Sequence, residues 1–266
     1  MPRTAATPRS AALPRVLAVL SILLAAAFVY APRILAGGDF TDESELRASL
    51  RPAFVEYWRS GGRDFTPSLE RIVDFWLRYH LAKAVIAAVL LVALVALAVV
   101  LWRAFLRAGG TALLASGTVV SVLAVVASLL VMANIQGAVA PFSSLLPMVV
   151  DSPTDTELAD TLGQIRQRLA DHAETPVLDV ITEDFARYHA AMAVIAACVA
   201  VLLIAASALS WITFAKASDS RARRVLASFG IASALFALAM IVVAVANTGT
   251  AADPTPALSA FFDGGW

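Results

Sequence analysis

Charged residues are scarce in this chain, and apolar residues are in large excess. Asp, Glu, Lys and Arg together make up 15% of the 266 residues, while hydrophobic residues make up 60%. A soluble globular domain averages about 25% charged and about 45–50% apolar residues. The composition therefore excludes a soluble globule and a disordered chain, and it predicts an integral membrane protein.

Cysteine is almost absent, and the common sequence motifs of catalysis are missing. The single cysteine, Cys198, excludes a disulfide framework, a CxxC redox pair and a cysteine-based zinc site. The chain has no GxSxG, HExxH, GxGxxG or phosphate-loop motif. A formal net charge of +0 excludes a broadly basic nucleic-acid-binding protein. We therefore expect a non-enzymatic protein, and we interpret Cys198, which lies in an apolar run, as a small packing residue.

Four apolar runs are long enough to cross a bilayer, which takes about 20 residues of α-helix. They cover residues 81–101, 111–133, 190–214 and 225–246. None contains an acidic residue, and the base Lys83 lies where its long side chain can reach the headgroups. A fifth run, residues 16–31, follows a basic leader without acidic residues. It is either a cleaved signal peptide or a retained anchor, and we favour the anchor.

The charges divide unevenly between the two sides of the predicted membrane. Segments 1–15, 102–111 and 215–224 hold nine bases and one acid, whereas the remaining polar segments hold eleven bases and nineteen acids. Short segments rich in Lys and Arg stay in the cytoplasm. The pattern predicts a plasma-membrane protein with a cytoplasmic N-terminus, an extracytoplasmic C-terminus, and outer segments at 37–80 and 134–189.

Two stretches of the chain resemble each other. The motif Arg-Tyr-His ends at His80 and again at His189, and with the eight residues that follow it nine of eleven positions are identical. Further matches are Thr66-Pro67 with Thr175-Pro176, Trp102 with Trp211, and Asn134 with Asn247. We expect each Thr-Pro pair to start a helix, with threonine as the N-cap and proline at the first helical position. Several of these polar matches lie outside the apolar runs, where an Ala- and Val-rich composition does not produce them by chance. The matches predict an internal duplication.

The predicted duplication gives the chain three parts. Residues 1–38 form a cytoplasmic leader and an N-terminal transmembrane helix, residues 39–150 form unit 1, and residues 151–266 form unit 2 with an external C-terminal tail. Both units enter the membrane from the same side, so they are parallel repeats related by an axis along the membrane normal. The predicted fold is an all-α integral membrane protein with five transmembrane helices: one N-terminal helix plus two tandem two-span repeats under a helical extracytoplasmic cap.

Apolar stripes at helical spacing mark the predicted cap. Their members are Leu46, Leu50, Phe54, Trp58, Leu158, Leu162, Ile165 and Leu169. We expect the stripes to pack largely on each other, with an exposed partner-binding patch left at Phe54 and Trp58, since unit 2 has no matching aromatic bulk. Thr154 and Glu157 have capping-box spacing, and the aromatic residues of the C-terminus are expected at the membrane interface. These aromatic residues are Phe261, Phe262 and Trp266.

His80 and His189 are the candidate ligand-binding residues. Each precedes a span at an equivalent position, so two packed units could bring the imidazoles together around a haem iron or a metal ion. The alternatives are that Arg-Tyr-His is an interfacial anchor and helix start, which we favour, or that the histidines sense pH. Apart from this haem, the sequence indicates no cofactor and no metal site.

The sequence as a whole favours an accessory or scaffold subunit without enzymatic activity. Such a protein would lie in the lipid bilayer and bind a membrane or extracytoplasmic protein partner. One alternative is a small electron-transfer protein with His80 and His189 as the two axial haem ligands. A second alternative is a small transporter or pore along the axis between the two units.

Overall fold

The computed structural model describes residues 8–151 and 155–265, with side chains from residue 12 onward in the first helix. This part of the chain forms nine α-helices and no strand. They are α1 (Pro8–Leu35), α2 (Glu43–Ser60), α3 (Pro67–Ala108), α4 (Thr111–Val139), α5 (Pro141–Val150), α6 (Thr156–Ala170), α7 (Pro176–Lys216), α8 (Ser220–Ala252) and α9 (Pro254–Phe262). Five of them, α1, α3, α4, α7 and α8, are long and apolar enough to cross a membrane. The predicted fold class, an all-α membrane protein with five spans, is confirmed.

The two longest helices begin at the Thr-Pro pairs that the sequence marks as helix starts. Thr66 and Thr175 are the N-caps of α3 and α7, and each is followed by proline in the first turn, where the missing N–H is not needed. The helices then run for 42 and 41 residues. At about 1.5 Å per residue each is about 60 Å long, twice the thickness of the hydrocarbon core. Their first turns therefore extend beyond the membrane.

Four of the five membrane-spanning helices form two helical hairpins. Hairpin 1 (α3 and α4) turns at Gly109 and Gly110, whose positive φ angles of 71° and 102° suit glycine. Hairpin 2 (α7 and α8) turns at 217–219, where the Asp219 carboxylate accepts a hydrogen bond from the Ala222 N–H at 2.8 Å. We call the side of the molecule that carries these turns the hairpin end. Since α1 runs antiparallel to α3, its N-terminal part lies there too.

Helix α1 packs on hairpin 1. Leu24 contacts a small core that contains Leu90 and Leu94 of α3. Closer to the cap, the Lys83 ammonium lies 4.6 Å from the centre of the Phe28 ring of α1 and contacts the ring of Tyr79. Lys83 thus makes a cation–π contact between two helices, while its position at the depth of the headgroups stays a prediction.

The opposite side of the molecule is a helical cap, made of α2, α5, α6, α9 and the first turns of α3 and α7. Its apolar side chains form one continuous buried cluster, and all eight residues of the two stripes belong to it. Ala36, which directly follows α1, is also buried there. The cap is therefore closed over a core contributed by both halves of the chain.

The starts of the cap helices α2 and α6 are fixed by N-cap side chains. The Asp42 carboxylate accepts from the Glu45 N–H, and the Glu45 carboxylate accepts from the Thr41 N–H in return. This reciprocal bonding holds the start of α2. In α6 the cap is Asp155, which accepts from the Glu157 N–H at 3.1 Å. Thr154, for which the sequence predicted this role, lies outside the described residues.

Helices α2 to α5 and α6 to α9 follow the same order with similar lengths. The pairs have 18 and 15, 42 and 41, 29 and 33, and 10 and 9 residues. The sequence analysis did not predict the short helices α5 and α9. Phe261 and Phe262 of α9 are buried in the cap core, so the expected position of these two rings at the membrane interface is wrong, and Trp266 lies outside the described residues. The duplication itself, with its unit boundaries and axis, stays a prediction.

Candidate functional site

The two candidate histidines occupy the same kind of position in the two hairpins. His80 Nδ1 lies 3.0 Å from Asn134 Oδ1, which joins α3 to α4. His189 Nδ1 lies 2.8 Å from Asn247 Oδ1, which joins α7 to α8. Each histidine also meets the aromatic ring one turn earlier edge-on, Trp76 at 4.7 Å and Phe185 at 4.6 Å between centroids. Each pair ties together the cap-side ends of two spans.

The asparagines fix the tautomer of both imidazoles. The Asn134 amide donates to the Leu130 carbonyl at 2.7 Å, and the Asn247 amide donates to the Val243 carbonyl at 2.8 Å. Each amide N is thereby used within its own helix, and each Oδ1 is left to accept. The histidines therefore donate through Nδ1–H, and in the neutral form of either ring the lone pair is on Nε2. This is the arrangement in which a histidine can bind a metal through Nε2.

The two sites differ in how tightly they are packed. A Cβ placed on Gly137 of α4 would come within 2.7 Å of His80 ring atoms, so the ring lies directly on this glycine. The matching position in α8 is Thr250, which already carries a side chain. Within the described structure, His80 Nε2 is buried without a hydrogen-bond partner.

The structure does not join the two histidines through any described contact. No hydrogen bond or ring contact among residues 8–151 and 155–265 links the two imidazoles, because each is bonded inside its own hairpin. The described residues also contain no group of three or more His, Cys, Asp or Glu side chains that could hold a metal ion. Haem ligation by His80 and His189 stays a prediction.

The hairpins contact each other at both ends. At the cap side, the Gln136 amide donates to the Tyr188 carbonyl at 3.1 Å. At the hairpin end, the Arg221 guanidinium of α8 donates to the Phe105 carbonyl at 3.3 Å, and the Phe229 ring meets Trp102 edge-on at 5.2 Å. These contacts hold the two hairpins side by side.

A buried carboxylate connects α7 to α5. Asp184 is 6% exposed and accepts a hydrogen bond from the Ser143 N–H, in the first turn of α5, at 2.8 Å. Arg187, one turn later, donates to its other oxygen at 2.9 Å. Burial raises the pKa of the Asp184 carboxyl, while the bonds from Ser143 and Arg187 oppose this. Asp184 thus caps a helix of the other half of the chain.

The expected partner patch is not exposed. Phe54 is 0% exposed and Trp58 is 8% exposed. Phe54 packs beside Phe142 of α5, and the Trp58 indole N–H donates to Gln164 of α6 at 3.0 Å. The prediction of an exposed patch at Phe54 and Trp58 is wrong, because α5 and α6 supply the surfaces that cover these rings.

An apolar face does remain open on α7. Leu202 is 69% exposed, whereas Ala93, 109 positions earlier on α3, is 4% exposed. Cys198, one turn before Leu202, is exposed as well, so its expected role in packing is wrong. The large exposed side chains along this part of α7 are Val194, Val201, Leu202, Ile204 and Leu209. Both spans are strongly apolar, so the apolar composition alone does not predict which of the two has an exposed face here.

The sequence contains a signal for the hydrogen-bond partners of the histidines. Asn134 and Asn247 are polar residues near the ends of apolar runs, and both match in the predicted duplication. Such a residue needs a hydrogen-bond partner.

No family model matches the chain, and neither a curated protein nor a solved structure shows significant similarity to it.

Proposed function

We propose that this protein is an accessory or scaffold subunit of the plasma membrane, without enzymatic activity, which binds a membrane protein through the open face of α7. The observation that carries the proposal is that α3 and α7 differ in the exposure of matching faces. A face that is buried on α3 at Ala93 and Leu97 is exposed on α7 at Leu202 and Ala206. A helix of a partner could cover it without displacing any described helix.

The closed cap supports the same proposal. Its apolar stripes are buried, and its two halves are tied by the ion pairs of Arg63 with Glu183 at 2.8 Å and of Arg59 with Glu157 at 3.4 Å. A cap of this kind offers little apolar surface to a soluble partner. Binding through the spans uses small residues and van der Waals contacts between helices, as is usual in membranes.

The single cysteine provides the test. A maleimide photocrosslinker attached to Cys198 in native membranes should give one discrete product of higher mass, and Leu202→Trp should abolish it because the larger ring blocks the face. The matched control moves the cysteine to α8, with Cys198→Ser and Leu238→Cys. Leu238 is 59% exposed and is as far from the cap-side end of its run as Cys198 is. The control should give no discrete product.

Three results would contradict the proposal. Crosslinks to lipid alone would show that the face is covered by the bilayer. Equal products at positions 198 and 238 would indicate random collision. A product of twice the mass of the chain would identify self-association in place of an accessory role.

We further propose that the N-terminus and the hairpin end are cytoplasmic, that the cap is extracytoplasmic and that α1 is retained. The burial of Ala36 in the cap core and the contacts of Lys83 with α1 support retention. In a Cys198→Ser background, cysteines at positions 60 and 170 should react with an impermeant maleimide on intact cells. Cysteines at positions 106 and 220 should react only after permeabilisation, and reversed labelling would overturn the orientation.

One observation favours haem binding as a second candidate function. Both histidines present an Nε2 lone pair, and that of His80 is buried and unpaired within the described structure. A gently solubilised preparation with a Soret band that His80→Ala and His189→Ala each remove would support this function. A colourless preparation that takes up no added haemin would reject it.

A further inference from the structure

The hairpin end carries a concentrated positive charge. Its bases in the described residues are Arg15, Arg103, Arg107, Lys216, Arg221, Arg223 and Arg224. The only acid at this end in the described residues is Asp219. It is the N-cap of α8, and its carboxylate accepts a hydrogen bond from the Ala222 N–H. The formal charge at this end is therefore +6, on a protein whose total is +0.

These bases lack the carboxylate partners that six described bases on the cap side have. Every ion pair found between described residues lies in the cap, and none includes a base of the hairpin end. Arg221 is half-buried and is held by the Phe105 carbonyl. Arg103, Arg107, Lys216 and Arg224 are exposed.

The position of the bases relative to the membrane identifies the counter-charge. They begin immediately after the apolar runs that end at residues 101 and 214, at the depth of the headgroups. The indoles of Trp102 and Trp211 lie next to them on α3 and α7, as interfacial aromatic rings do. Lipid phosphates occupy this depth, and negative lipid headgroups attract clustered Lys and Arg residues.

We infer that the hairpin end binds anionic phospholipid, whose headgroup phosphates pair with exposed bases of both hairpins: Arg103 and Arg107 at the end of α3, and Lys216 and Arg224 of hairpin 2. Arginine at two successive turns of α3 can bind phosphate oxygens with paired N–H donors. The acyl chains of the same lipid would lie on the apolar surface of the spans directly below. The inference does not depend on the proposed function or on the orientation.

The test measures which lipids stay with the protein. The full chain is reconstituted in nanodiscs with one part phosphatidylglycerol to three parts phosphatidylcholine, extracted gently, and analysed by native mass spectrometry. We expect the retained lipid to be enriched in phosphatidylglycerol at least about threefold over the supplied ratio, a modest factor for several bases near one anionic surface. The double variant Arg103→Gln with Arg107→Gln should return the lipid ratio towards the supplied value. The double variant Arg103→Lys with Arg107→Lys keeps both charges and should keep most of the enrichment.

The matched control removes two bases from the cap instead, with Arg59→Gln and Arg71→Gln, and should leave the enrichment unchanged. If the first double variant fails to fold, Lys216→Gln with Arg224→Gln tests the same headgroup site from hairpin 2. Equal enrichment in the wild type and the hairpin-end variants would overturn the inference, and so would equal loss in the cap variant. Loss of enrichment on addition of millimolar inorganic phosphate would show a site for free anions in place of a lipid site.

Discussion

Hairpins 1 and 2 carry the same polar pairs but have different surroundings. Both use histidine and asparagine to join their spans near the cap, and both pack a tryptophan on a glycine near their turns, Trp102 on Gly117 and Trp211 on Gly230. Hairpin 1 is covered by α1, and its helix α3 has ten buried residues against eight for α7. The comparison indicates that the polar pairs fix the geometry of a hairpin, while the apolar surface decides what lies beside it.

The largest expected difference between the hairpins concerns the residue beneath the histidine. Gly137→Val should destabilise the protein by up to about 3 kcal/mol, the upper end for overpacking, because the new Cβ would lie 2.7 Å from the His80 ring. Thr250→Val in hairpin 2 should cost much less, since that position already holds a branched side chain. Thermal unfolding in detergent measures both, and equal losses of stability would break the comparison.

The asparagines should show the next largest difference. Asn134→Leu leaves the Nδ1–H of His80 without its acceptor and should cost about 1–2 kcal/mol, because Asn134 is only 5% exposed. Asn247 is half-buried, so water or headgroups can replace its oxygen and Asn247→Leu should cost less. The unfolding midpoints of the two variants give the comparison, and a larger effect at Asn247 would contradict it.

The tryptophans should differ by about 1 kcal/mol. The Trp102 indole N–H donates to Ser121 at 3.0 Å, and the ring contacts Phe229 of the other hairpin, so Trp102→Phe removes a hydrogen bond. Trp211 is 41% exposed, and Trp211→Phe should be nearly neutral. Denaturant unfolding of both variants tests this. Destabilisation by Trp211→Phe alone would contradict the prediction that Trp102 contributes more to stability.

The smallest effect on stability is expected at the contact between α1 and α3. Lys83→Met copies Met192, the residue 109 positions later, and removes the cation–π contacts with Phe28 and Tyr79. The cost should be about 0.5–1 kcal/mol, confined to the packing of α1. Disulfide trapping between cysteines placed on α1 and α3 in a Cys198→Ser background should become slower, and an unchanged trapping rate would exclude a role for Lys83.

The spans and the start of the two long helices could be predicted because each depends on local chemistry. Runs of about 20 apolar residues and Thr-Pro pairs at helix starts have the same meaning in any chain. The burial of Phe54 and Trp58 could not be predicted, since their cover comes from α5 and α6, far along the chain. Helix α5 has only ten residues and begins with a proline, which in the sequence resembles a loop.

At the histidine sites, too, the local pairing could be predicted from the sequence, but the packing around it could not. Their equivalence follows from the two Arg-Tyr-His motifs, and their asparagine partners from the matching positions Asn134 and Asn247. Gly137 and Thr250 each follow their asparagine by three positions, but the close packing of the His80 ring on Gly137 is a tertiary contact that the sequence does not show. Leu202 is exposed in a structure in which α1 packs on α3 and not on α7. Both helices are strongly apolar, so their composition alone does not specify this arrangement.

The shared cap core has a consequence for how the protein is made. Trp58 bonds to Gln164, 106 residues later, and Arg63 to Glu183, 120 residues later. At about 5–20 residues per second, a ribosome needs about 5–20 s to synthesise the second partner after the first. During that interval the first hairpin can enter the bilayer and α2 can pack on α3 and α5, but the part of its apolar side that α6 covers stays open. A nascent chain at this stage is a natural client for a chaperone that shields apolar helices.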